Sequence, residues 1–388
     1  MKTKIIHSFL HKSFLMIMSI TIEANDSLHL ITKETTSNQE NFIQTVDGYL
    51  RAGYQQNDNR HTNIALGGKL HIETKRWNSI SAGASFYTTN ALLKHKGVSI
   101  AFFDADDHSY SILGEAYLET IWGNNTLKIG RQTIDTPFAD TDDIGMVPNT
   151  FEGIVLTNHT IQDTTLFFAQ LQKYAGVDSS TPSHFTQLNK KSGMQVIGVT
   201  YEGLKNTTFS GWFYTMKNSV DIGYADISYK NKINYFNYTL MAQYTQQKYH
   251  DSSKSTIYGL AAALDLDTTG LSASIAYNNV KGRAAENFFG GGPFVTNAEH
   301  HTLKDALHDG DCILYGLEWD TSHIGVTGLI LSAHIDRHSN GIHHDTREYD
   351  ISASYDYSKT LNITAIYSDI DDVTEPFTNL RLFVNYSF

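Results

Sequence analysis

"RLFVNYSF", residues 381–388, closes the chain on an aromatic residue. Leu380, Leu382, Val384, Tyr386 and Phe388 share one parity; Arg381, Asn385 and Ser387 share the other, with Phe383 as the exception. A two-residue period defines a β-strand, and here its apolar face runs to the last residue. Ends of soluble domains are usually frayed and polar. The face at 380–388 is therefore expected to meet something apolar outside the chain.

The same alternation recurs upstream. "VDGYLRAGY" (46–54) sets Val46, Gly48, Leu50, Ala52 and Tyr54 against Asp47, Tyr49, Arg51 and Gly53. "FNYTLMAQYT" (236–245) and "EYDISASYDY" (348–357) divide in the same way. Candidate strands fall at 45–54, 63–75, 79–88, 112–122, 126–133, 152–158, 164–174, 194–203, 206–216, 221–230, 234–247, 256–267, 270–280, 312–321, 325–338, 346–357, 360–368 and 380–388. That is about eighteen strands, with no convincing 3.6-residue period past residue 44.

The connections alternate in length. Short ones include "KRWN" (75–78), "GNN" (123–125), "NKI" (231–233), "DTTG" (267–270) and "TSHI" (321–324); long ones are 89–111, 134–151, 175–193, 281–311 and 369–379. A soluble sandwich also alternates apolar and polar residues, but gives no reason to sort loops by parity. A transmembrane antiparallel up-and-down β-barrel does, with short periplasmic turns and long extracellular loops. One face carries Lys69, His71, Glu115, Tyr117, Glu119, Asp265 and Glu318, as a wet lumen permits. The other carries Trp122, Tyr201, Tyr244, Tyr357 and Tyr386 near strand ends, as an interfacial girdle requires. The fold expected is all-β: the last strand pairs with the first, leaving no open edge in lipid.

Composition agrees. The 388 residues include 22 Tyr, 20 Phe, 28 Gly, 5 Pro and one Cys, with net charge −12. "MKTKIIHSFLHKSFLMIMSITIEA" has Lys2, Lys4 and Lys12, an apolar stretch from Phe14 to Ile22 and small Ala24, and reads as a signal peptide cleaved after Ala24. Removing its three Lys and one Glu leaves 26 bases against 40 acids, or −14. The expected plan is a signal peptide at 1–24, a short lead at 25–44 and a barrel at 45–388. A lone Cys312 forms no internal disulfide and is expected as a buried or wall thiol.

Residues 114–153, "GEAYLETIWGNNTLKIGRQTIDTPFADTDDIGMVPNTFEG", narrow the reading. "GEAY", "GRQTIDTP" and "MVPNTFEG" resemble the OprD-type outer-membrane porins of Gram-negative bacteria. So do "VDGYLRAGY", "GGKLHIETKRW…ISAGASFYTTN" (67–90) and "FFGGGPFVTN…YGLEWD" (288–320). The resemblance implies an 18-stranded barrel in the bacterial outer membrane. It also implies passive diffusion of small polar solutes, often bearing a carboxylate, and a ladder of basic residues facing an acidic pocket.

The loop 134–151 holds Asp135, Asp140, Asp142 and Asp143 and is expected to fold inward as the constriction; 281–311 is the second candidate. Parity places Arg51, Lys69, Lys128, Lys230 and Arg381 on a basic pore wall and Glu115 and Glu119 on an acidic one. Arg131 has outward parity, and a charge facing mid-bilayer would cost about 2–4 kcal/mol. It is therefore expected in the pore or at the rim. Only eight Arg remain after residue 24, so weak cation selectivity is expected. Phe388 resembles the terminal aromatic by which barrel-assembly machinery recognises outer-membrane barrels. Lipid, lipopolysaccharide and permeating solutes or ions are the other expected partners, with the barrel a monomer or trimer.

Rival classes fare less well. An adhesin or surface structural barrel is the first alternative and an outer-membrane hydrolase the second. "GxSxG" is absent, since residue 87 is Tyr, and there is no P-loop, dinucleotide fingerprint or CxxC. No enzyme, no cofactor and no nucleic-acid binding are expected. His300, His301, His308, His338, His343 and His344 cluster without Cys or fixed spacing, so sequence supports no metal site there.

Overall fold

The computed structural model describes residues 42–57, 61–95, 102–339, 345–371 and 376–388. The proposed signal peptide, most of the lead, and His343 and His344 lie outside these residues.

Eighteen strands close into one antiparallel barrel: β1 Ile43–Asn57, β2 Thr62–Thr74, β3 Ile80–Leu93, β4 Tyr110–Trp122, β5 Asn125–Gln132, β6 Thr150–Asn158, β7 Thr164–Ala175, β8 Met194–Leu204, β9 Thr207–Met216, β10 Val220–Ile233, β11 Phe236–Tyr249, β12 Lys254–Leu266, β13 Leu271–Gly282, β14 Asp311–Asp320, β15 Leu329–Ser339, β16 Thr346–Asp356, β17 Leu361–Asp371 and β18 Phe377–Ser387. A further short strand, Thr186–Lys191, touches the sheet only at Tyr174 and Lys173 of β7.

Closure comes from β1 and β18, which pair in register from Tyr49↔Ser387 to Asn57↔Asn379. The Phe388 amide donates to the Gly48 carbonyl, and the Gly48 amide donates to the Phe388 carbonyl. The two strands thus satisfy each other's backbone groups, which hydrocarbon would otherwise leave unpaired.

Connections between β2 and β3, β4 and β5, and every second pair thereafter are turns at one rim. The segments 133–149, 176–193 and 283–310 leave from the other rim. One turn is longer than expected. "TSHI" forms a 3₁₀ turn, Thr321–Ile324, capped by Asp320, which accepts from the Ser322 amide. Gly325 then adopts φ 88°, a conformation costly for other residues, so β15 starts at Leu329 rather than at 325.

Parity sorts the two faces. Leu50, Leu118, Leu240, Leu260, Leu317 and Ile351 stand exposed on the outside. Trp77, Trp122, Tyr235, Tyr357 and Phe388 ring the short-turn rim, while Tyr244, Tyr258, Tyr315 and Tyr349 lie toward the other. Amphipathic rings of this kind suit the lipid–water boundary. Phe383, the exception in the last strand, points inward and is buried against Phe102, with ring centroids 5.6 Å apart.

Candidate functional site: the loop-filled lumen

The loop 133–149 leaves β5 early, because β5 has only eight residues, and crosses the lumen. Its stem packs on one wall. Phe138 is fully buried and meets Tyr214, Tyr224, Phe288 and Phe294 edge-on, at centroid distances of 5.5–6.1 Å. Its tip reaches the β1–β18 seam, where Met146 and Val147 join a cluster with Ala65, Tyr87, Phe102 and Phe383.

Arg51 fixes that tip. Nη1 and Nη2 donate to the two Asp143 oxygens at 2.6 and 2.8 Å, Nη1 also donates to the Gly145 carbonyl at 2.6 Å, and Nε donates to Asn385 at 2.7 Å. The guanidinium lies 4.8 Å from the Tyr49 ring centroid and 5.6 Å from that of Phe383. A forked pair of this geometry fixes orientation as well as charge. Asp143 stays one-third exposed, so the pair borders water.

The second loop, 283–310, is held differently. The Gln243 amide group donates to the Pro293 carbonyl at 3.2 Å and its oxygen accepts from the Val295 amide at 2.9 Å. Asn278 accepts from the Thr296 amide and hydroxyl, and Gln247 exchanges bonds with the Glu286 backbone. Arg381 pairs with Glu299 from this loop and donates to the Ile144 carbonyl of the other. The loops also meet directly, since the Asp140 amide donates to the Phe289 carbonyl at 2.9 Å.

Among the constriction acids expected from sequence, Asp143 forms an ion pair with the wall cation Arg51. Asp135 is exposed in a small hairpin with Asp140, which is buried. Asp142 shares a hydrogen bond with Asp178 of the segment 176–193. Asp178 also accepts from the Asn149 side chain, and its amide donates to Asn149 Oδ1. Burial pushes its carboxyl above the usual range, partly offset by bonds from Asn149 and Asp142. Gly176, with φ 123°, makes this approach possible: a Cβ there would fall 2.3 Å from the Pro148 carbonyl oxygen.

The wall residues form separate groups. Lys69 lies 3.0 Å from Glu115, which also accepts from Ser85 and Tyr87. Lys128 lies 3.4 Å from Glu119, which Arg76 also engages, and stacks 4.1 Å from the Tyr117 centroid. Lys230 sits apart on β10 beside Asp265. Arg51 and Arg381 are on adjoining strands but not opposite: Arg51 faces Asn385 and Arg381 faces Gln55.

Arg131 lies where the β4–β5 ladder ends. It donates to Glu152 at 3.2 Å and to the Leu113 carbonyl at 3.2 Å, and its guanidinium lies 4.3 Å from the Phe185 centroid. Lys173 completes an Arg–Glu–Lys cluster at 2.7 Å from Glu152. Arg131 thus joins neither the Arg51 nor the Lys69 group. Glu299, Gln243 and Asn278 escaped the sequence reading. Parity put Gln243 on the polar face, but an uncharged amide carries no sign that it holds a loop.

A closed eighteen-stranded barrel with an aromatic-ringed apolar exterior and a charged, loop-narrowed interior is an outer-membrane channel. The family model described as "outer membrane porin, OprD family" matches residues 102–387, and the chain belongs to that family. OpdK of Pseudomonas aeruginosa, in its structure with vanillate, superposes with a TM-score of 0.78 at 15% identity, covering 88% of this chain and 98% of that one. OccK8 (OprE) of the same organism gives 0.75, 15%, 88% and 97%. A BenF-like porin of Pseudomonas fluorescens Pf-5 gives 0.77, 14%, 88% and 98%. No curated protein sequence matches significantly. The chain is thus a porin of the Gram-negative outer membrane, passing small solutes by diffusion.

Proposed function

We propose that this porin favours small cations and zwitterions over anions, and that the loop segments 133–149 and 283–310 set that preference. The observation that carries the reading is the bidentate Arg51–Asp143 pair. Arg381–Glu299, Lys69–Glu115 and Lys128–Glu119 follow the same pattern, so the basic wall is met acid for base. With the basic wall neutralised locally, the net charge, −12 for the full sequence and −14 without residues 1–24, dominates the field along the lumen. Asp265 and Glu318 line the inner face farther round, at matching heights through Ser272.

In this reading Asp143 borders the constriction, Arg51 and Arg381 hold it, and Lys230 is a separate wall charge. Phe388 serves in assembly as well as closure. The test is reversal potential across a planar bilayer under a KCl gradient, with the purified barrel. A cation-side reversal is expected. An anion-side reversal would keep the channel and overturn the preference, showing that the paired acids do not mask the arginines.

A further inference from the structure

His301 lies in the loop 283–310, whereas Asp336 and His338 lie on β15. Their ligand atoms come within 4.8 Å of one another, and all three residues are buried. His301 Nδ1 stands 3.2 Å from Asp336 Oδ1 and 3.9 Å from Glu348 Oε2; His338 Nε2 stands 3.1 Å from Asp336 Oδ2. Sequence placed His338 at the end of the candidate strand 325–338. It is the penultimate residue of β15, turned inward.

Two features single out this cluster. The first is charge. The Asp336 and Glu348 side chains have no exposure, and among the described residues neither forms an ion pair with Lys or Arg. Arg381 is engaged by Glu299 and Arg337 by Asp345. Asp336 has the two imidazoles and the Glu348 backbone amide beside it and no Lys or Arg, a buried charge that a divalent ion would balance. The second is spacing. Bonds of about 2.0–2.2 Å to nitrogen and oxygen put neighbouring ligands of a tetrahedral ion about 3.4 Å apart. The His–Asp separations of 3.1 and 3.2 Å lie close to that value, and the ligand atoms of the three residues stay within 4.8 Å of one another.

We propose that His301, Asp336 and His338 bind a transition-metal ion of the zinc or nickel class, clasping the loop to the wall. Imidazole with carboxylate suits these ions. Glu348 accepts from the His300 and His301 amides, and its Oε2 lies 3.9 Å from His301 Nδ1. This orients His301 as outer-shell bonds do in known sites. The clasp joins the β15–β16 wall to the loop whose other end is held by Gln243.

The test uses the full, untagged barrel, freed of metal with EDTA and titrated with Co²⁺ in detergent. One saturable Co²⁺ per barrel, with the visible absorption of a four-coordinate site and displacement by Zn²⁺, is expected. His338→Gln and His301→Gln should each weaken binding by at least about tenfold, and His308→Gln, at an exposed position, should not. Heat-modifiable gel mobility identifies the folded variants; His301→Gln, altering the loop, keeps the test available if His338→Gln does not fold. No saturable binding by the wild type would overturn the proposal, as would folded variants with unchanged binding.

Discussion

The two inserted loops are fastened by different chemistry. The loop 133–149 is anchored at its tip by charge, through Arg51 and Asp143, and at its stem by the aromatic nest around Phe138. The loop 283–310 is anchored along its length by neutral amides, Gln243, Gln247 and Asn278, which satisfy its backbone. An ion pair at a wet border contributes little net stability but a definite field. Buried amide–backbone bonds contribute little field, but leaving them unmade is costly. The first loop should therefore set selectivity and the second rigidity, with Phe138 joining them.

Phe138→Ala tests that junction and should have the largest effect. Truncating a fully buried Phe costs about 3–5 kcal/mol, lost here between the loops and the β9–β10 wall rather than in the barrel ladder. A larger, noisier single-channel conductance from a barrel that still migrates heat-modifiably is expected. Conductance equal to the wild type would mean that the loops hold without their common contact.

Gln243→Leu comes next. It strands the buried Pro293 carbonyl and Val295 amide, at about 1–3 kcal/mol for each buried group left unsatisfied. Faster hydrogen exchange in residues 289–297 is expected, with the 133–149 segment unchanged. Equal acceleration in both loops would break the distinction between them.

The barrel was legible because strand parity is set by solvent on both sides. Leu50, Leu240 and Ile351 face lipid while Arg51, Gln243 and Asp350 face inward, as alternation alone requires. The lumen was less legible, because loop anchoring depends on which strands a loop reaches. Asp143 and Arg51 could be named from charge, but their pairing spans 92 residues. Glu299 looked like one acid among many until Arg381 was placed beside it. Arg131 followed its outward parity, and at the early end of β5 it donates to the Leu113 carbonyl of β4.

Asp143→Asn sharpens the comparison from the other side. It keeps the shape and removes the charge, at a stability cost of about 1 kcal/mol or less for a pair bordering water. Arg51 would then present an uncompensated cation, and reversal potential should move toward anions with conductance nearly unchanged. An unchanged reversal potential would remove Asp143 from the selectivity argument.

Asp178→Asn should have the smallest effect, and pH decides its sign. Burial raises the Asp178 carboxyl above its usual range and outweighs the bonds from Asn149 and Asp142, which favour the ionised form, so the folded site as a whole favours the protonated acid. The stabilising contribution is complete below the ordinary carboxylate pKa and fades as pH rises through the raised value. The tie between segments 133–149 and 176–193 is thus tighter in acid and looser near neutrality. Open-channel noise of the wild type should grow from pH 4 to pH 8. An asparagine copies the neutral acid at every pH, so Asp178→Asn should stay quiet across that range and match the wild type only at its acid end. Noise that falls with rising pH in the wild type, or a variant with the same slope, would place the pH-sensitive contact elsewhere, Asp142 being the other acid in the tie.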